Sequence, residues 1–104
     1  MEQLFVGASH GAVGDGTSAN PAVAVTINCG FKPKYVQAIV VDTNCVTTTW
    51  IYGMTAAKGV QSKEDTGYKS AELAATGITV TDRGFTLGVS AQVATKKYHW
   101  VALA

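Results

Sequence analysis

The feature that most limits what this chain can fold into is the period-two patterning of its C-terminal third. Ile78 and Val80 alternate with Thr79 and Thr81, Asp82-Arg83-Gly84 interrupts, and Phe85, Leu87 and Val89 then alternate with Thr86, Gly88 and Ser90. Side chains of a strand point alternately to its two faces, so such alternation marks a half-buried β-strand, and two such runs around a short polar break make a hairpin. The break predicts a type I turn closed by Gly84 at positive φ, a conformation in which a Cβ would clash. The last run, Tyr98 to Ala104, sets Tyr98, Trp100 and Ala102 against His99, Val101 and Leu103. It is apolar on nearly both faces, and is expected to be a strand covered by its own fold or by a partner.

The same pattern recurs upstream. Val23, Val25, Ile27 and Cys29 alternate with small or polar neighbours from Ala22, Lys34 to Asp42 is almost continuously apolar, and Val46, Thr48, Trp50, Tyr52 and Met54 share a face from Cys45 to Met54. Gly30-Phe31-Lys32-Pro33 and Asp42-Thr43-Asn44 are turns. The run from Lys34 is expected at the centre of a sheet, antiparallel to the run from Cys45. Thr55 to Thr76 differs: it holds Lys58, Lys63, Glu64, Asp65, Lys69 and Glu72, has no period of two, and Lys69 to Ala75 has the residues for about two turns of helix. With 104 residues the chain supports one core. The expected fold is all-β: a single-domain antiparallel β-sandwich, jelly-roll-like, with one long charged loop over 55–76. Residues 1–21, with Leu4-Phe5-Val6 followed by four glycines and Asn20-Pro21, are expected as an N-terminal arm or Gly-rich loop contributing little to a sandwich over 22–104.

Charged residues are 14% of the chain, against roughly 25% in ordinary soluble domains. A surface of Thr, Ser, Gly and Ala is cheap to desolvate, which favours assembly with other copies or a large partner. The formal net charge of +1, without a Lys/Arg cluster, disfavours nucleic acid. Met1-Glu2-Gln3 lacks the basic start of a secretion signal, and no apolar run approaches the eighteen or so residues of a membrane span, so folding in the cytoplasm and no membrane partner are expected. Two cysteines, Cys29 and Cys45, are no disulfide framework and are expected to be reduced.

Each candidate for chemistry is weak. Gly11-Ala12-Val13-Gly14-Asp15-Gly16-Thr17-Ser18 has P-loop spacing, but Thr17 stands where the phosphate-binding lysine belongs and Asn20-Pro21 opens no helix, so a flexible loop is expected. His10 and His99 form no paired spacing with Cys29 and Cys45 of the kind zinc needs, and His99 is expected to be a half-buried structural imidazole. No serine occupies a nucleophile elbow. Neither a catalytic, a metal nor a cofactor-binding residue is assigned. Trp50 with Tyr52 and Tyr98 with Trp100 either fill the core or, on an exposed face, stack against sugar rings; their apolar surroundings favour the core.

Three stretches carry a family resemblance: Gly30-Phe31-Lys32-Pro33-Lys34-Tyr35-Val36, the hairpin from Gly77 to Gly88, and Tyr98-His99-Trp100-Val101-Ala102. Together they resemble small β-sandwich virion proteins of tailed bacteriophages, which occur as capsid decoration or cement proteins and as tail or fibre domains. The motifs are packing and turn residues, and they speak to fold more than to task. The resemblance implies a non-enzymatic capsid decoration or cement protein on the virion surface, made in the host cytoplasm. Its partner would be the lattice of the major capsid protein, bridged through the N-terminal arm and loops; independently of the resemblance, the low charge and the terminal strand apolar on both faces lead us to expect a homotrimer, with a dimer as the alternative. A tail or fibre component that binds a host surface glycan is the alternative.

Overall fold

The structure, a computed structural model, describes residues 11–41, 45–65, 67–73 and 75–104, and omits the side chains of 64, 65 and 67–70. Among the described residues nine strands follow one another: β1 (Gly11–Thr17), β2 (Val25–Asn28), β3 (Tyr35–Val40), β4 (Thr47–Ile51), β5 (Val60–Asp65), β6 (Gly67–Glu72), β7 (Ile78–Thr81), β8 (Gly84–Leu87) and β9 (Lys97–Leu103). They form an antiparallel β-sandwich with one sheet of six strands, in the order β1-β9-β3-β4-β5-β6, and one of three, β2-β8-β7. The chain passes from the large sheet to the small one after β1 and after β6, and returns after β2 and after β8.

The core lies between the sheets. Val36, Ala38 and Val40 of β3 and Ala102 of β9 are fully buried on one side, and Ile78, Phe85 and Leu87 are fully buried on the other. Each large apolar side chain so enclosed stabilises the fold by roughly 1.5–3 kcal/mol. Phe85 meets Trp100 edge-on, with ring centroids 5.3 Å apart and planes at 76°, the arrangement that sets a positive ring edge against a negative ring face. As expected, β3 is central, flanked by β4 and β9 and antiparallel to both.

Three expectations need correction. The β7–β8 hairpin forms, but Thr81 pairs with Gly84, so the turn is Asp82-Arg83 alone and Gly84 already belongs to the strand. Gly84 serves by lacking a side chain rather than by adopting positive φ: a Cβ there would sit 1.9 Å from the backbone oxygen of Ile27. Because β2 can come this close, the Cys29 and Gly30 amides both donate to the Arg83 carbonyl, at 2.9 and 3.0 Å.

The stretch from 55 to 76 is not one long loop, and it holds no helix over 69–73. It folds as the β5–β6 hairpin, with Val60 opposite Glu72 and Asp65 opposite Gly67. The ladder needs only backbone groups, whereas period two is legible only when one face is buried. From this hairpin Gln61 reaches the core, its amide donating to Thr48 Oγ1 at 3.1 Å and to the Ser90 carbonyl at 2.6 Å. Thr48 is fully buried, so its hydroxyl needs such a partner.

The third correction concerns the glycine-rich segment. Residues 1–10, including Leu4-Phe5-Val6 and His10, lie outside the described residues. Gly11 to Thr17 is neither arm nor loop but β1, paired with all of β9 from Gly11↔Leu103 to Thr17↔Lys97. Ser18, buried, continues the contact. Its amide donates to the Lys96 carbonyl at 3.0 Å and its hydroxyl to Gln92 Oε1 at 2.8 Å. Gln92 Nε2 in turn donates to the Val23 and Leu87 carbonyls, both at 2.9 Å, which ties the chain before β2 to the end of β8.

Candidate binding surfaces

Strand register decides which side chains share the outer face of the large sheet. Residues directly opposite one another project to the same side. One row runs Val13, Val101, Gln37, Thr49, Val60, a second runs Gly11, Leu103, Tyr35, Ile51, and a third runs Asp15, His99, Ile39, Thr47, Ser62. The intervening positions are the buried ones of the core, so these rows face away from the small sheet. Val13, Ile39, Ile51 and Val60 are exposed, and Tyr35, Val101 and Leu103 are half-buried. In these rows over β1, β9, β3 and β4 the formal charges are Asp15 and, opposite Thr17, Lys97. These two form an exposed ion pair at 3.7 Å, of a kind worth at most about 1 kcal/mol. Gln37, Ile39, His99 and Val101 line a shallow depression of about 150 Å³ in the middle of this face. Antiparallel sheets with one solvated face usually carry polar side chains there; this one carries a largely neutral, apolar surface.

A second surface lies at one end of the sandwich. Lys32, Pro33, Trp50, Tyr52, Met54 and Val80 line an open cleft of about 240 Å³. Trp50 is its floor: the ring belongs to the core, and its indole N–H donates to the Thr55 carbonyl at 3.3 Å. Tyr52 is its rim. The core reading fails for this residue, which is 71% exposed, with the Lys34 ammonium 5.7 Å from its ring centre. The cause is that β4 ends at Ile51 and the chain turns through Gly53, at φ +101, so period two stops one residue before Tyr52. The reading holds for Trp50 and Tyr98, both buried, and for Trp100, half-buried against Phe85.

No protein-family model, curated protein or solved structure matches this chain. The surfaces must therefore be weighed on their own chemistry.

The remaining sequence candidates are dispersed. The P-loop-like residues are extended in β1, where the backbone amides of alternate residues serve a sheet ladder rather than converging on one anion. His99 is exposed on the outer face between Asp15 and Ile39, and not half-buried as expected. Cys29 and Cys45 are both thiols. Cys29 is half-buried, with Sγ 3.4 Å from the Phe31 carbonyl, while Cys45 is exposed. Among the described residues no three His, Cys, Asp or Glu side chains gather as metal ligands would. The outer face itself was hard to foresee. Its signal was the second apolar face of the terminal strand, and only the pairing with β3 and β1 shows that neighbouring strands extend it.

Proposed function

We propose that this chain acts by binding, as a structural protein of a tailed-phage virion that decorates the capsid and bridges subunits of the major capsid protein. The observation that carries the reading is the outer face of the six-stranded sheet. It is a broad, nearly uncharged surface with Val13, Ile39, Ile51 and Val60 exposed, on a fold whose core is complete without it. Such a face is inexpensive to desolvate, and it suits a contact repeated over a lattice, where many modest interactions add through effective concentration. The resemblance of the Gly30–Val36, Gly77–Gly88 and Tyr98–Ala102 stretches to small virion β-sandwiches supplies the partner.

Co-sedimentation with capsid shells lacking the protein tests the proposal. The full chain is expected in the pellet, and Ile39→Glu, which places a charge at the centre of the face without touching the core, is expected to weaken binding by about tenfold or more. Full-length protein that stays in the supernatant at saturation would remove the capsid reading. The exposed Tyr52 ring beside Lys32 favours one alternative, a tail or fibre component that stacks a glycan in the end cleft. In that case Tyr52→Ala would abolish binding to glycan-bearing cells and Ile39→Glu would leave it intact.

A further inference from the structure

The ladders assign the direction of every backbone group in β1. The Lys34 and Val41 amides of the neighbouring β3 side donate to the Leu103 and Lys97 carbonyls, at 2.8 and 3.0 Å. Backbone groups alternate in direction along a strand. Lys97, His99, Val101 and Leu103 therefore turn theirs toward β3, and Tyr98, Trp100 and Ala102 turn theirs toward β1. The Ser18 amide, which donates to the Lys96 carbonyl, shows the same parity from the other side. Ala12, Gly14, Gly16 and Ser18 thus face β9, and Gly11, Val13, Asp15 and Thr17 direct their N–H and C=O groups off the edge of the sheet. Among the described residues no strand pairs with that edge.

Sheet edges are normally blunted by brevity, lysine, proline or a bulge. Among the described residues the other three edges carry such protection: β2 and β7 are four residues long, and β6 bears the exposed charge of Glu72. β1 is seven residues long, contains neither lysine nor proline, and keeps an unbroken register with β9. Its inner side is bare as well. A Cβ at Gly14 would fall 2.6 Å from the Trp100 ring and one at Gly16 would fall 2.5 Å from the Tyr98 hydroxyl, so both aromatics lie across the strand in space that only glycine leaves.

We infer that the β1 edge is a self-pairing site, at which two copies of this chain join β1 to β1 antiparallel about a two-fold axis through Gly14. That register is singled out by the parity. It sets Val13 opposite Asp15 of the second copy and Gly11 opposite Thr17, so all four outward-facing residues of each strand pair with outward-facing residues, making about eight backbone hydrogen bonds. Sliding the strands by one residue opposes outward with inward groups, and sliding by two loses a pair. At the axis glycine meets glycine, so no side chain holds the inner sides of the strands apart. On the outer side the two Asp15 carboxylates lie diagonally across the seam, each beside its own Lys97. The product is a continuous twelve-stranded sheet. An edge contact of this length covers less than the ~800 Å² per partner of a standard stable interface, so the dimer forms at micromolar concentration and separates on dilution. The pairing is independent of what the outer face or the end cleft binds, because it uses the edge.

Sedimentation equilibrium should show a reversible monomer–dimer equilibrium for the full chain. Val13→Pro, which removes an outward N–H that the monomer does not use, should leave a folded monomer. Amide exchange in the unmodified protein gives a readout independent of that variant. Gly11, Val13, Asp15 and Thr17 should gain protection with rising concentration, while Gly14 and Gly16 are protected throughout. A protein that stays monomeric, a trimer of the kind the low charge suggested, or a dimer without concentration-dependent protection at these four amides would each overturn the inference.

Discussion

Individual residues of this sandwich are constrained more by what their backbone meets than by what their side chains do. Gly84 is the clearest case. In the sequence it resembles the closing glycine of a turn, yet its task is to let β8 lie against the Ile27 carbonyl, which a Cβ would approach to 1.9 Å. Gly84→Ala must push two strands apart, and is expected to lower stability by about 1–3 kcal/mol in urea titrations. Asp82→Ala, two residues away in the exposed turn, is expected to stay within about 0.5 kcal/mol of the parent. Equal effects would mean that the turn, and not the close approach, sets the glycine requirement.

Among the elements, β1 changes most between the sequence reading and the structure. As an arm it would be removable without harm to the sandwich; as a strand it pairs with β9 along its whole length and is anchored by Ser18 on Gln92. Deletion of residues 1–18 strips β9 of one ladder, bares one side of Trp100 and Tyr98, and leaves Gln92 without its hydroxyl partner. The loss is expected to be on the order of 3 kcal/mol or more, measured by chemical denaturation with tryptophan emission as the probe. A truncated chain that unfolds at the parental urea concentration would restore the arm. The same contrast applies to β5–β6, where a charged segment without period two is held by its ladder and by the Gln61 side chain.

For the whole molecule, the relevant quantity is how little charge the fold displays. With a formal net charge of +1 and an outer face whose Asp15–Lys97 ion pair is exposed, association is not expected to depend on long-range attraction. The proposed binding to capsid shells is therefore expected to change by less than about threefold between low and high salt, across which the Debye length shrinks from about 30 Å to about 3 Å. Co-sedimentation at the two ionic strengths measures it. A decline of a hundredfold would indicate an electrostatic contact and point away from the apolar sheet face, toward the Lys32 and Lys34 end of the sandwich.

The sequence alone determined the fold class, the central place of the Tyr35–Val40 strand, the β7–β8 hairpin and the two-sided character of the C-terminal strand. In each of these, burial on at least one face imposes a pattern that survives in the order of side chains. Tertiary structure decided the rest. β1 is a strand because β9 supplies its ladder and because Trp100 and Tyr98 occupy the space its glycines leave. β5 and β6 are strands through backbone pairing that leaves no apolar period. Tyr52 is exposed because its strand stops one residue early, while Gly84 is required by a carbonyl fifty-seven positions away in the chain. The apolar outer face is a property of no single strand, since it exists only once register brings Val13, Val101, Ile39 and Ile51 to the same side of one sheet.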